Sequence, residues 1–134
     1  MLPLQEKNIE INLLPSSAIL SSELSWGSQS LDSIPEAYHT PDVILAADCV
    51  YFEPAFPLLL ETLQDLLNKD RQDGRPDAIC YFCMKKRRKA DMRFITALKK
   101  KFFVQEVDAR EEIAQEGGGI FLYKVWRKRR TVAA

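Results

Sequence analysis

Asp42-Val-Ile-Leu-Ala-Ala-Asp-Cys-Val-Tyr51, closed by Phe52-Glu53-Pro54, is the stretch from which the rest of the chain takes its order. Residues 43–47 form a continuous apolar run that begins just after Pro41 and ends on an acid. Continuous rather than alternating hydrophobicity is what a strand buried on both faces of a parallel sheet requires, so a central strand is predicted here. Asp48 then stands at the carboxyl end of that strand, the edge where ligands bind in open α/β sheets. Behind it, Glu53-Pro54 fits a helix start, and Phe56, Leu59, Leu60, Leu63, Leu66 and Leu67 follow at helical spacing. Strand, acidic turn and helix make one half of a βαβ unit. Taken by itself, Asp48 is equally readable as a turn or cap residue, a role that Asp favours.

At 134 residues the chain is about one small domain, of ordinary apolar and charged content. Its formal net charge is zero, but residues 1–79 carry four Lys/Arg against thirteen Asp/Glu, and residues 80–134 carry fifteen against six. Paired elements of one fold commonly divide charge this way, so no nucleic-acid partner is expected from it. Cys49, Cys80 and Cys83 are too few for a disulfide framework. Cys80-Tyr-Phe-Cys83 has CxxC spacing, yet it lies in a strand-like run where alternate residues face opposite ways. With no second CxxC and no nearby histidine, neither zinc nor a redox pair is expected, and reduced, buried thiols are. Such thiols suit a cytosolic or nuclear protein, with a cytoplasmic one expected, and with no leader pattern and no apolar run of about eighteen residues it is expected to be neither secreted by that route nor membrane-spanning.

From its start, the chain reads as the last turns of a helix (1–12), a strand over 16–25 ending at Trp26-Gly27, and a polar loop (29–41) with the single histidine, His39. No catalytic role is assigned to His39. After the central strand and its helix comes a turn over 68–76, rich in Asp, Asn, Gly and Pro. A second apolar strand (77–84), the basic run Lys85-Lys-Arg-Arg-Lys89 and a helix (90–101) follow. The basic run reads as a localisation patch, a grip on an acidic partner, or a solvent-facing loop on the same rim as Asp48. Lys99, Lys100 and Lys101 suit the negative end of a helix dipole. Residues 102–107 and 120–126 read as an antiparallel strand pair joined by an acidic loop and Gly117-Gly-Gly119, with 127–130 as a solvated tail. The triple glycine lacks GxGxxG spacing and opens a strand, so it is not a phosphate cradle. Trp26 is either core packing or a platform for a flat heterocycle.

Four blocks carry a resemblance: Lys7-Asn-Ile-Glu-Ile-Asn12, Leu24-Ser-Trp-Gly27, Asp42 through Tyr51, and Lys85-Lys-Arg-Arg-Lys-Ala-Asp91. Together they resemble the family-16 seven-β-strand S-adenosylmethionine-dependent protein-lysine methyltransferases, and within them the fungal enzymes that act on translation elongation factor 1-alpha. The resemblance covers nearly the whole chain, and Asp48-x-x-Tyr51 after an apolar strand is its most specific mark. It implies an α/β fold: the C-terminal part of a Rossmann-like seven-stranded methyltransferase sheet, with a terminal antiparallel strand pair. It implies that Trp26 lies against the adenine of S-adenosyl-L-methionine and that Ala47 lines the same pocket. It implies that Asp48 and Tyr51 face the target lysine, on a non-histone protein substrate, in a monomeric enzyme.

In such enzymes a glycine-rich turn follows the first strand and an acid ends the second. Neither has a counterpart here, so residues 1–134 are expected to form a single partial domain lacking the N-terminal glycine-rich cofactor half, binding the cofactor weakly or not at all. The family's sheet order (third, second, first, fourth, fifth, seventh, sixth) then predicts that residues 16–25 lack a strand neighbour and that residues 43–47 become an unpaired edge. Two other readings stay open: a non-catalytic α/β module whose basic rim binds an acidic partner, and a small nucleic-acid-binding protein, which would show a steep salt dependence.

Overall fold

The computed structural model describes residues 1–108 and 119–129. Helix α1 (Leu2–Ile11) is followed by a long connection with 3-10 turns at Ser30–Ser33 and Glu36–Tyr38. Then come β1 (Val43–Ala47), α2 (Phe56–Leu67), β2 (Ile79–Lys85), α3 (Lys89–Lys101), β3 (Phe102–Val107) and β4 (Ile120–Arg127). The four strands form one sheet in the order β1-β2-β4-β3. β1 and β2 are parallel, and β4 runs antiparallel to both of its neighbours. This is the order expected for the fourth, fifth, seventh and sixth strands of the methyltransferase sheet, terminal antiparallel pair included.

The two long helices explain where the core lies. α2 buries Phe56, Leu59, Leu60, Leu63 and Leu67 along one stripe, and α3 buries Phe94, Ile95 and Leu98. Both stripes meet the alternate residues Cys80, Phe82 and Met84 of β2 in a single apolar cluster. At its centre Phe94 stacks on Phe82 at 5.4 Å and meets the edge of Phe56 at 5.3 Å. Aromatic pairs in these arrangements contribute beyond the area they bury. The basic last turn of α3 behaves as the dipole argument expects, and Lys128 Nζ adds hydrogen bonds to the carbonyl oxygens of Lys99 (2.8 Å) and Lys100 (3.2 Å).

The other face of the sheet is open among the described residues, and here the central-strand expectation gives way. β1 is an edge strand paired to β2 alone; Leu45 is 81 % and Val43 53 % exposed. Its hydrophobicity is continuous, but only Ile44 and Ala46 reach the helix-covered side and pack on the core. The run has the composition of a doubly buried strand and the surroundings of an edge, as expected above for residues 43–47 from the family's sheet order.

The helix expected over 1–12 is present as α1, which buries none of its residues. Two further expectations are corrected. Residues 16–25 form no strand, because no neighbour lies within reach to complete a ladder, and an isolated extended segment has no backbone partners of its own. Arg127 is not part of a solvated tail: it closes β4 and makes ion pairs with Asp77 (2.8 Å) and Asp70 (2.7 Å). The acidic loop with Gly117 and Gly118 lies outside the described residues. Gly119 lies at the mouth of β4 with a φ of 74°, a conformation that suits glycine.

Candidate functional site

The rim at the carboxyl ends of β1 and β2 is where charged side chains converge. β1 ends at Ala47, and the next residue, Asp48, turns into the left-handed region with a φ of 54°. Asp is one of the few residues other than glycine that enters this region readily, so the turn itself selects for it. The Asp48 amide still donates to the Cys83 carbonyl oxygen (3.0 Å), carrying the β1–β2 ladder one residue past the strand. The carboxylate is thereby set on the rim.

There it meets Arg87. The guanidinium forks onto the carboxylate, Nη1 to Oδ1 at 2.7 Å and Nη2 to Oδ2 at 3.3 Å. Hydrogen bonding from Arg87 holds the Asp48 carboxyl below the ordinary range, partial desolvation opposes it, and the charges of Arg87 and Lys85 add to the lowering. Asp48 is therefore an anion at neutral pH and a weak proton acceptor. It is suited to holding a cation in place.

Arg88 and Arg93 complete the grip on the same loop. Arg88 Nη2 donates to the Tyr51 carbonyl oxygen at 2.7 Å, and Arg93 Nη2 pairs with Glu53 Oε1 at 3.0 Å. Tyr51 is left 62 % exposed. Behind the arginines lies Asp91, which is buried. Its Oδ2 accepts the backbone N–H groups of Arg87 (2.9 Å) and Arg88 (3.0 Å), and its Oδ1 accepts from the Arg88 side chain (3.0 Å). This is an N-terminal capping arrangement: Asp91 satisfies donors that the first turn of α3 leaves open, and in doing so aims the two arginines. Burial pushes the Asp91 carboxyl up, but these donors outweigh it and leave the group below its ordinary value.

Trp26 is held elsewhere. The Gly27 N–H donates to Thr62 Oγ1 on α2 at 3.0 Å, and the Thr62 hydroxyl donates to Ser30 Oγ at 3.3 Å. Gly27 has a φ of 131°, and a Cβ there would stand 3.4 Å from Leu58 Cδ2, so both backbone and space favour glycine beside the indole. Trp26 is half-buried against the core cluster, as is Cys49. Beside it is a cavity of about 340 Å³ walled by Ser22, Ser25, Ser28 and Glu23. Ala47 is exposed at the end of β1, in register with Cys83. The structure thus brings Ala47, Asp48 and Tyr51 together on one rim. Among the described residues, no hydrogen bond or ion pair links residues 22–33 to residues 47–53.

The sequence reading missed Arg87, Arg88 and Asp91 as a unit. The available signal was an acid three residues after Arg88, at the head of an apolar-periodic helix, which is the spacing of a capping pair. Cys80 and Cys83 face opposite ways, as their spacing predicts. Burial, with the nearby Cys49 adding to it, pushes the Cys80 thiol up to about 12, so it stays protonated. Among the described residues no cluster of His, Cys, Asp or Glu could hold a metal, and no helix is long and apolar enough to cross a membrane.

Residues 1–101 match the profile of a family described as lysine methyltransferase. The chain is 38 % identical over 112 residues to Protein-lysine N-methyltransferase EFM6 of Saccharomyces cerevisiae, which covers 80 % of this chain and 43 % of the relative. It is 39 % identical over 98 residues to Protein N-lysine methyltransferase METTL21A of Danio rerio, covering 72 % and 40 %. It is 28 % identical over 123 residues to EEF1A lysine methyltransferase 3 of Xenopus tropicalis, covering 91 % and 48 %. The chain spans less than half the length of each of these relatives.

Proposed function

The chain belongs to the lysine methyltransferase family, and from that membership we propose that it carries the lysine-facing half of an S-adenosyl-L-methionine-dependent protein-lysine N-methyltransferase. The favoured substrate is a non-histone protein, translation elongation factor 1-alpha, for which the names of relatives such as EEF1A lysine methyltransferase 3 speak. The protein acts as a cytoplasmic monomer in this reading. The observation that carries it is the presentation of Asp48: an exposed carboxylate, aimed by a left-handed turn onto the rim, three residues from an exposed tyrosine ring.

The chemistry asks for those groups. A lysine amine with an ordinary pKa of about 10.4 reaches the site as an ammonium and attacks only after losing its proton. Asp48, an anion at neutral pH, orients the ammonium by a charge-assisted hydrogen bond, and its low basicity leaves the proton to pass to water. Tyr51 offers an aromatic wall that tolerates a cation. Positioning of this kind is worth orders of magnitude when it holds the reacting atoms in line.

The residues present fit the adenine end of the methyl donor: Trp26 presents a half-buried indole beside a polar-walled cavity of about 340 Å³, with Ala47 as a small residue at the rim. When bound, the donor supplies an electrophilic methyl group on a sulfonium. Residues 1–134 are in this reading one partial domain, and donor affinity rises when a glycine-rich half pairs along the free edge of β1.

The test is a chimera in which these residues replace the matching part of yeast EFM6, assayed with elongation factor 1-alpha and labelled S-adenosyl-L-methionine. Methyl transfer is expected from the chimera, much less from the 134-residue chain alone, and at least about a hundredfold less from the chimera carrying Asp48→Asn. A folded chimera whose activity survives Asp48→Asn removes Asp48 from the site, and a folded chimera with no activity removes the enzymatic reading.

A further inference from the structure

The rim is already occupied by a cation. Arg87 sits on the carboxylate that the reading above assigns to the substrate ammonium, and both partners are open to water: the Arg87 side chain is 45 % and that of Asp48 63 % exposed. Arg87 differs from its neighbours. Arg88 is fixed by the buried Asp91 and by Tyr51, and Arg93 by Glu53, whereas Arg87's side chain is held at this ion pair by Asp48. Lys85, Lys86 and Lys89 are exposed on the same rim, with no ion pair among the described residues.

We propose that the target lysine enters by an exchange of ion pairs: its ammonium takes the place of Arg87 on Asp48, and the freed Arg87 takes an acidic side chain beside the target lysine. The substrate class is therefore a lysine flanked by Asp or Glu. This deepens the methyltransferase reading and rests on it.

Three physical points carry the exchange. Exposed ion pairs contribute little to stability, so the Arg87–Asp48 pair yields to a competing cation without disturbing the fold. Arg87 keeps its charge at any working pH and presents a fork suited to carboxylates, so once displaced it seeks another acid. A lysine arriving without acids would add a positive charge beside Lys85, Lys86, Arg87 and Lys89, and like charges brought together disfavour docking. Flanking acids reverse the sign of that interaction. Arg87 thus becomes a specificity-determining residue, with Asp91 positioning it through the backbone.

The experiment uses the 134-residue protein labelled for NMR, read at the Asp48 carboxyl carbon and the Arg87 guanidinium, with three capped nonapeptides. One has lysine between glutamates, one has lysine between glutamines, and one has norleucine between glutamates. The first is expected to bind about fivefold or more tightly than either of the others, moving both signals. Arg87→Gln is expected to shrink the difference between glutamate and glutamine flanks to the part that Lys85, Lys86 and Lys89 supply, and Arg87→Lys to keep it in full. Equal binding of the norleucine peptide overturns the exchange in favour of a plain acidic-peptide rim. Equal binding with either flank, or an Asp48 signal that no peptide moves, overturns it as well. Methyl transfer to the same peptides, followed by mass in the yeast chimera, separates the two claims. Flank preference without methylation counts against the enzyme only, and methylation without flank preference counts against the exchange only.

Discussion

The two ends of the β1–β2 pair are built from the same two residue types and do opposite things with them. At the amino-terminal end, Asp42 accepts from Arg71 and Arg75, and Asp77 pairs with Arg127 and Arg129. One guanidinium of each pair is sunk into the fold, with the Arg71 side chain 4 % and that of Arg127 19 % exposed, while Arg75 at 39 % and Arg129 at 80 % add to the pairs from the surface. At the carboxyl end, Arg87 and Asp48 are both open to water, and the aspartate stands in the left-handed region. A desolvated arginine whose donors are shared among several acceptors cannot leave without stranding charge, whereas an exposed pair exchanges partners with water, ions or ligands at little cost. Paired Asp and Arg therefore staple the sheet at one end and leave an exchangeable seat at the other.

Cutting the staple should produce the largest effect. Arg127→Leu is expected to lower the unfolding free energy by about 2 kcal/mol in urea, below the full penalty for breaking a buried pair because both partners keep some contact with water. The same variant should change the acid dependence. Hydrogen bonding from Arg127 holds the Asp77 carboxyl below its ordinary value, burial opposes this, and Arg129 contributes further lowering. A carboxyl lowered in the folded state contributes stability that is complete above its unfolded pKa, about 4, and is lost as pH falls through the folded value. The wild-type chain should accordingly lose stability on acidification below about pH 4, with a shallower loss in Arg127→Leu. Parallel acid profiles would mean that Asp77 is not the group being titrated, and the contrast between the two ends would lose its electrostatic basis.

A step smaller is Asp91→Ala, which leaves the backbone N–H groups of Arg87 and Arg88 without their acceptor and should cost about 1 to 2 kcal/mol. It tests whether the open end depends on a closed one. If the seat is aimed from beneath, the Arg87 guanidinium signal should shift in this variant even though the ion pair itself is untouched. An unmoved signal would make Asp91 a helix cap and nothing more.

How much of this was legible from the residues follows the same divide. The strand, acid and helix of residues 42–67, the helix after the basic run and the terminal strand pair were all readable, because each rests on local periodicity that the packing then uses. The sheet order came from the family resemblance. Periodicity misled at residues 16–25, where alternation described a possible strand but nothing local could supply the partner a strand needs. It misled again at β1, where an apolar run records the surroundings it suits rather than those it has. At the site, Asp48 was readable as an acid at a strand end, and its pairing with Tyr51 came from the family resemblance. Arg87 was not, because its contact with Asp48 spans 39 positions and a run of five basic residues does not say which one points where. Trp26 was visible as a residue, but its hold on α2 runs through Gly27 and Thr62, which no short-range pattern joins.

The smallest effect should come from the seat itself. Asn tolerates the left-handed region about as well as Asp, so Asp48→Asn removes the charge while keeping the turn. If the rim pair is exchangeable, this variant should unfold at the same urea concentration as the wild type, and Asp48→Gly should do likewise because glycine enters that region freely. Asp48→Ala should unfold slightly earlier, since its cost is backbone strain rather than a lost ion pair. The order of the three separates the causes. Should Asp48→Asn lose as much stability as Arg127→Leu, the carboxylate would be a second staple, too firmly engaged to yield to a lysine, and the two ends of the sheet would be alike after all.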